Sequence, residues 1–254
     1  MSCPLPPEVH DLIIDFLRDE EAALKACCIV SKSWVPRAQY HLFAYIKLHA
    51  PPSLRSPQIH QWTKAFPDPA NSPARYTRSL VIHGPQSSIV PGVTLIRAFS
   101  NIVQFDLAIV GDEPYFSLVP LRGFSHTLKF LRLSYRISIP HSEIFGFVCS
   151  FPLLEDLWLN THNGNNMTGH GWSAPSTSPR LTGTLNLRVI FGTYPVVRCL
   201  VDLPGGLHFT KIDLGCKDFE SVTELASNCS ETLESLKVYS FMAGASFLIS
   251  FCSP

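Results

Sequence analysis

Apolar residues in the first fifty positions recur at helical spacing. In LPPEVHDLIIDFL, residues 5–17, Val9, Leu12, Ile13, Phe16 and Leu17 fall at i, i+3, i+4, i+7 and i+8, which predicts an amphipathic helix. Pro6 and Pro7 sit just ahead of it, where a missing N–H costs nothing, and Glu8 and Asp11 suit its positive end. Ile14 lies off that stripe beside Asp15 and is expected to face water in an isolated bundle. After the polar break Arg18–Glu21, Leu24, Cys27 and Cys28 share a face of a second helix, flanked by Ile29 and Val30. A third helix carries Trp34, Ala38, Leu42 and Phe43, with Pro36 in its first turn. Helices this short bury little surface, and without a metal or disulfide pattern a partner is the physical expectation.

Residues 50–75 hold six prolines and few apolar anchors, and read as a stiff linker. His60, Trp62 and Phe66 within it allow a helical turn that packs on the next segment of the chain. From Leu80 onward two apolar residues separated by one recur: Leu80/Ile82, Phe105/Leu107, Leu131/Leu133, Leu157/Leu159, Leu185/Leu187, Ile212/Leu214 and Leu236/Val238. The first members stand 25, 26, 26, 28, 27 and 24 residues apart. Leu128-Lys-Phe-Leu131-Arg-Leu133 and Leu154-Glu-Asp-Leu157-Trp-Leu159 spell out Leu-x-x-Leu-x-Leu. This resembles a leucine-rich repeat, one short strand and one return segment per period. Alternation points each pair inward and its neighbours outward. Outward residues Phe130, Arg132, Trp158, Arg188 and Tyr239 include the types enriched in binding hot spots and are the candidate target-binding residues. The stretch from Asn160 to Pro179 reads as a loop inserted in one period.

Leu5-Pro6-x-Glu8-Val9, Ile13, Leu17, Leu24, Cys27, Val30-Ser31-Lys32-x-Trp34 and His41-Leu42-Phe43 resemble the F-box of fungal F-box proteins. The resemblance covers about the first 48 residues. It implies a trihelical module docking on a Skp-type adaptor and, through it, a cullin-RING ubiquitin ligase of the SCF type. The positions implied for the module's core and the adaptor contact are Leu5, Pro6, Val9, Ile13, Leu17, Leu24 and Val30, to which the off-stripe Ile14 is added. The expected fold is thus mixed α+β or α/β, with a three-helix F-box module over 1–48. A Pro-rich linker over 49–75 comes next, then an irregular leucine-rich-repeat-like solenoid over 76–254.

Composition narrows the function classes. The 254 residues carry 20 basic and 20 acidic side chains, which removes the basic footprint of a nucleic-acid binder. No apolar run approaches the ~20 residues of a membrane span, and the acidic start MSCPLPPEVHD lacks the form of a secretory signal. An intracellular protein, cytoplasmic or nuclear, is expected. The eight cysteines form no CxxC pair, so they read as buried small hydrophobes. Gly169-His-Gly171-Trp-Ser-Ala174 loosely matches a dinucleotide pattern but sits in a loop, where no strand–helix junction can aim N–H groups at phosphate. Ser125-His126 are adjacent, a poor geometry for a triad, and His162 and His170 lack a third metal ligand. No catalytic, cofactor or metal site is expected. The reading is a substrate-recognition adaptor of a ubiquitin ligase that binds an unidentified protein. Its alternative is a non-ubiquitin scaffold whose helices only cap or dimerise the repeat domain, and a hydrolase or oxidoreductase with a degenerate site is a third.

Overall fold

A computed structural model of the chain describes residues 6–49, 58–85, 89, 93–110, 117–135, 139–161, 186–192, 200, 208–216, 219–239 and 246–250. The chain opens with α1 (Pro7–Phe16), α2 (Glu21–Val30) and α3 (Val35–Leu42). Pro7 and Pro36 occupy first turns, where no helix hydrogen bond is lost. Ile14, Leu24, Cys27 and Ala38 form a small separate core, edged by Leu17, Cys28, Trp34 and Leu42.

Ile14 is fully buried, while Leu12, Ile13 and Phe16 are 58%, 40% and 87% exposed. The middle of the stripe, Leu12, Ile13 and Phe16, is therefore the uncovered side of α1, Leu17 at its end edges the core, and Ile14, expected to face water, points inward. The cause is Asp15. Its carboxylate takes hydrogen bonds from Arg37 Nε and Nη2 at 2.6 and 2.5 Å and lies 2.7 Å from His41 Nε2. This clamp on α3 turns the Ile14–Asp15 edge of α1 towards α3.

From Tyr45 onward one sheet takes up the chain. Its strands are β1 (Tyr45–His49), β2 (Ser79–Pro85), β3 (Gln104–Val110), β4 (Phe130–Tyr135), β5 (Asp156–Thr161), β6 (Asn186–Gly192), β7 (Lys211–Cys216), β8 (Ser235–Tyr239) and β9 (Ser246–Ser250). They lie side by side in chain order; β1 to β8 run parallel, and β9 returns antiparallel on β8. Strands enter the ladder through a repeated joint. The carbonyl just before one strand accepts from two consecutive N–H groups at the start of the next, as Val103 does from Lys129 and Phe130 and Lys129 from Glu155 and Asp156.

Between the strands lie α4 (Gln58–Ala65), α5 (Val93–Ala98), α6 (His141–Val148) and α7 (Phe219–Asn228), with 3₁₀ turns at Pro69–Asn71, Pro73–Tyr76 and Val119–Leu121. The main core joins the inward strand residues to Ile59, Ile96, Phe99, Leu121, Phe147 and Leu225 from these connections. Phe105, Phe124, Phe151 and Phe147 meet edge to face, with centroids 5.0–5.6 Å apart. Gly123, at φ 59°, turns the chain beside this cluster and donates its N–H to Ser150 Oγ.

This architecture corrects the expected one. The chain is not a three-helix F-box module followed by a leucine-rich-repeat-like solenoid; it has an α/β-type fold built on a single sheet, parallel from β1 to β8. The sheet starts inside the segment assigned to the helical module. The stretch assigned as linker supplies α4, whose Ile59 is 1% exposed and whose Trp62 packs on Phe43, Phe66 and Phe99. Successive ladder partners Ile46, Leu80, Phe105, Leu131, Leu157, Leu187, Ile212 and Leu236 also depart from a constant period. In β6 the inward pair is Leu187/Val189 rather than Leu185/Leu187, since Leu187 pairs with Leu157. Leu185 lies outside the described residues, as do Leu5, the dinucleotide-like segment 169–174, His162 and His170.

Candidate functional site

The two faces of the sheet differ. One is sealed by the connections; the other carries polar and aromatic side chains around a concavity of about 600 Å³. Parallel sheets are normally covered on both faces and read as unbroken apolar runs. Here β3 and β8 alternate, as does β4 from Phe130 to Leu133, so the open face is built to meet water or a partner.

Parallel register sets side chains from successive strands in rows. The central row reads Lys47, Val81, Asp106, Arg132, Trp158, Arg188, Asp213 and Lys237 across β1 to β8. Its middle is nearly mirror-symmetric. Trp158 lies between two guanidinium groups, Arg132 at 3.5 Å and Arg188 at 5.2 Å from a ring centroid. Each arginine is backed by a carboxylate, Arg132 by Asp106 at 3.9 Å and Arg188 by Asp213 at 2.8 Å. Cation–π contacts of this kind contribute about 0.5–2 kcal/mol each, and exposed ion pairs less than about 1 kcal/mol. The array thus fixes side-chain positions more than it stabilises the fold.

The two arginines differ in what they leave free. Arg188 donates from Nε and Nη2 to Asp213 Oδ2 at 3.0 and 2.8 Å. Arg132 makes no hydrogen bond among the described residues, and its ion-pair distance is too long for one. Trp158 Nε1 and Asp106 Oδ1 are likewise buried without hydrogen-bond partners among the described residues. Lys211, Lys237 and Asp156 line the same concavity and form no ion pair among the described residues. In the row above, His83 Nε2 is 3.7 Å from Asp106 Oδ1 and meets the His49 ring at 5.3 Å. Burial, with Lys47 and His83 nearby, holds His49 below the ordinary imidazole value.

Phe130, Arg132, Trp158 and Arg188, singled out from sequence, meet in this concavity. Phe130 is 41% exposed. Tyr239 is also exposed, at the end of β8, but does not line it. Sequence reasoning placed Asp106, Asp156, Asp213, Lys211 and Lys237 on the outward face but gave them no role. Register puts Asp106, Asp213 and Lys237 in one row with Arg132 and Arg188, and Asp156 and Lys211 in the adjacent row with Phe130. Val81, read as outward, is buried, and Ser134 nearly so.

The helical trio offers a second surface. Leu12, Ile13 and Phe16 are exposed on α1, and Ile29 and Val30 are 87% and 69% exposed at the end of α2. Fully burying such a side chain yields about 1.5–3 kcal/mol. Among the residues assigned to an adaptor contact, Pro6, Ile13 and Val30 are exposed and Val9 and Leu17 half-buried. Ile14 and Leu24 are not available, because both fill the trio's core.

Other candidate chemistry is absorbed by structure. Ser125 Oγ is buried and shares its proton between the carbonyls of Ser100 and Ile102. Among the described residues no group of three His, Cys, Asp or Glu is placed to hold a metal. Cys27, Cys28, Cys149 and Cys229 are free thiols, and burial raises the Cys149 thiol to about 11. Among the described residues no helix is long and apolar enough to cross a membrane. No protein-family model matches the chain, and no curated protein matches it.

Proposed function

We propose that this protein is a substrate-recognition adaptor of an SCF-type cullin-RING ubiquitin ligase. In this reading the helical trio docks on a Skp-type adaptor, and the open face of the sheet holds a target protein. The observation that carries it is the exposure of Leu12, Ile13, Phe16, Ile29 and Val30 on a trio whose core holds four buried residues among those described. So small a unit gains most from a partner that covers its remaining apolar side chains. The order of residues from Leu5 to Phe43 resembles an F-box at the level of sequence, and that likeness, apart from the overturned architecture, supports the same partner. The protein then breaks no bond itself: it raises the effective concentration of a target beside a ubiquitin-loaded enzyme. Residence in cytoplasm or nucleus goes with this role.

The test is co-purification of the full chain with a Skp-type adaptor. Ile13→Asp and Phe16→Asp each place a charge on the uncovered side of α1, and each is expected to reduce capture at least tenfold while helix content is kept. Undiminished capture by both variants refutes the docking surface. Absence of capture by the unmodified chain favours the scaffold reading.

A further inference from the structure

We infer that the open face of the sheet recognises an extended acidic segment of a partner protein, one of whose carboxylate side chains seats on Arg132. The inference rests on the reading of this face as the target-binding surface and adds the chemistry of the target.

Three observations carry it. The first is the unused fork of Arg132. Its guanidinium carbon lies over the Trp158 ring, 3.5 Å from a centroid, its side chain is 41% exposed, and it hydrogen-bonds to nothing among the described residues. A planar, pre-oriented guanidinium with free donors matches a carboxylate bidentately. Arg188, on the other side of the same indole, is already occupied by Asp213.

The second is charge. The concavity is lined by Arg132, Arg188, Lys211 and Lys237 against three carboxylates, one net positive charge. Both lysines lack an ion pair among the described residues and stand on β7 and β8, three and four strands from Arg132. Strands are about 4.8 Å apart, so a second ligand anion falls about 14–19 Å from the first. An extended peptide covers that in about four to six residues at about 3.3 Å each.

The third decides between anions. Asp106 stands 3.9 Å from Arg132, and Asp156, without an ion pair among the described residues, lines the same concavity. A phosphate brings nearly two negative charges to one point beside these carboxylates, whereas a Glu or Asp side chain brings one. The surface therefore fits single charges spread along a segment.

Fluorescence anisotropy tests this with the full chain and fluorescein-labelled twelve-residue Gly/Ser peptides. Each carries two Glu four, five or six residues apart; controls carry Gln or phosphoserine at the same positions. A Glu peptide is expected to bind at least tenfold more tightly than its Gln counterpart and more tightly than its phosphoserine counterpart. Arg132→Lys, which keeps the charge but not the fork, is expected to weaken binding about tenfold, and Lys237→Gln about threefold. Circular dichroism checks that both variants fold. Equal binding of Glu and Gln peptides, tighter binding of phosphoserine, no binding at any of the three spacings, or indifference to Arg132→Lys overturns the proposal. The peptide comparison on the unmodified chain stands even where a variant misfolds. Capture of a Skp-type adaptor by the same preparation separates the two proposals: peptide failure with capture retained overturns the acidic-segment inference alone. Lost capture with peptide binding intact overturns the ligase assignment alone.

Discussion

Truncating Ile14 and truncating Phe16 should have opposite consequences, although both are large apolar residues of one helix turn. Ile14→Ala removes three carbons from a site with no exposure. At about 0.8 kcal/mol per carbon the transfer loss is about 2.4 kcal/mol, and the residual cavity brings the total to about 2–5 kcal/mol. The trio spans Pro7 to Leu42, about 36 residues, and at about 0.05–0.15 kcal/mol per residue its stability is about 2–5 kcal/mol. Loss and reserve are comparable, so Ile14→Ala should largely unfold the trio. Phe16 is 87% exposed, and Phe16→Ala should stay within about 0.5 kcal/mol. Hydrogen exchange read segment by segment is the assay. Ile14→Ala should strip protection from α1, α2 and α3 while the amides of β3 and β4, which belong to a separate apolar core, keep theirs. If Phe16→Ala loosens the trio more than Ile14→Ala, or if β3 and β4 lose protection together with α1, the assignment of the inner side of α1 is wrong.

Packing and charge set two further outcomes. Hydrogen bonds from Arg37 foremost, then the contact with His41, lower the Asp15 carboxyl from 3.8 to about 2. Because the folded value lies below the unfolded one, the stabilisation is complete above about pH 4–5 and disappears as pH falls through 3.8 towards 2. With a third of the side chain exposed, screening leaves about 1 kcal/mol; urea midpoints of the unmodified chain and Asp15→Asn should differ at pH 7 and converge near pH 2. Ile59→Ala, in the segment that reads as linker, should cost about 2–4 kcal/mol, with protection lost first at β1 and β2; a change below about 0.5 kcal/mol would make α4 an appendage.

The sequence carried the strands better than the helices. Leu80/Ile82, Phe105/Leu107 and Leu131/Leu133 stand out because a half-open sheet imposes an alternation that is broken only locally, at Val81 on β2 and from Ser134 on β4, and all six residues are buried. Around the start of β6 the sequence offers three alternating apolar residues, Leu185, Leu187 and Val189, which fit two registers, and only the pairing of Leu187 with Leu157 on β5 selects the second. Strand β1 escaped notice because Ile46 and Leu48 precede the next pair by 34 residues and come directly after helices. In α1 both sides are apolar, so periodicity found a stripe without telling the covered side from the uncovered one; the partners of Asp15 on α3 decide it. Of the open face, the arginines and Trp158 were legible from residue type and outward position. Their alignment into one row, and the spare donors of Arg132, depend on register between strands, which a single sequence does not encode locally.

Strand order that repeats chain order has a consequence for synthesis. Each of β2 to β8 finds its ladder partner 24–34 residues earlier, as Leu80 does Ile46 and Leu236 does Ile212. No strand of the parallel ladder has to wait for a distant segment still inside the ribosome. Short loop closures of this kind are kinetically favoured, so the nascent chain can consolidate from its amino end one strand at a time. The growing edge would then stay exposed until β9 doubles back on β8 and ends the parallel series.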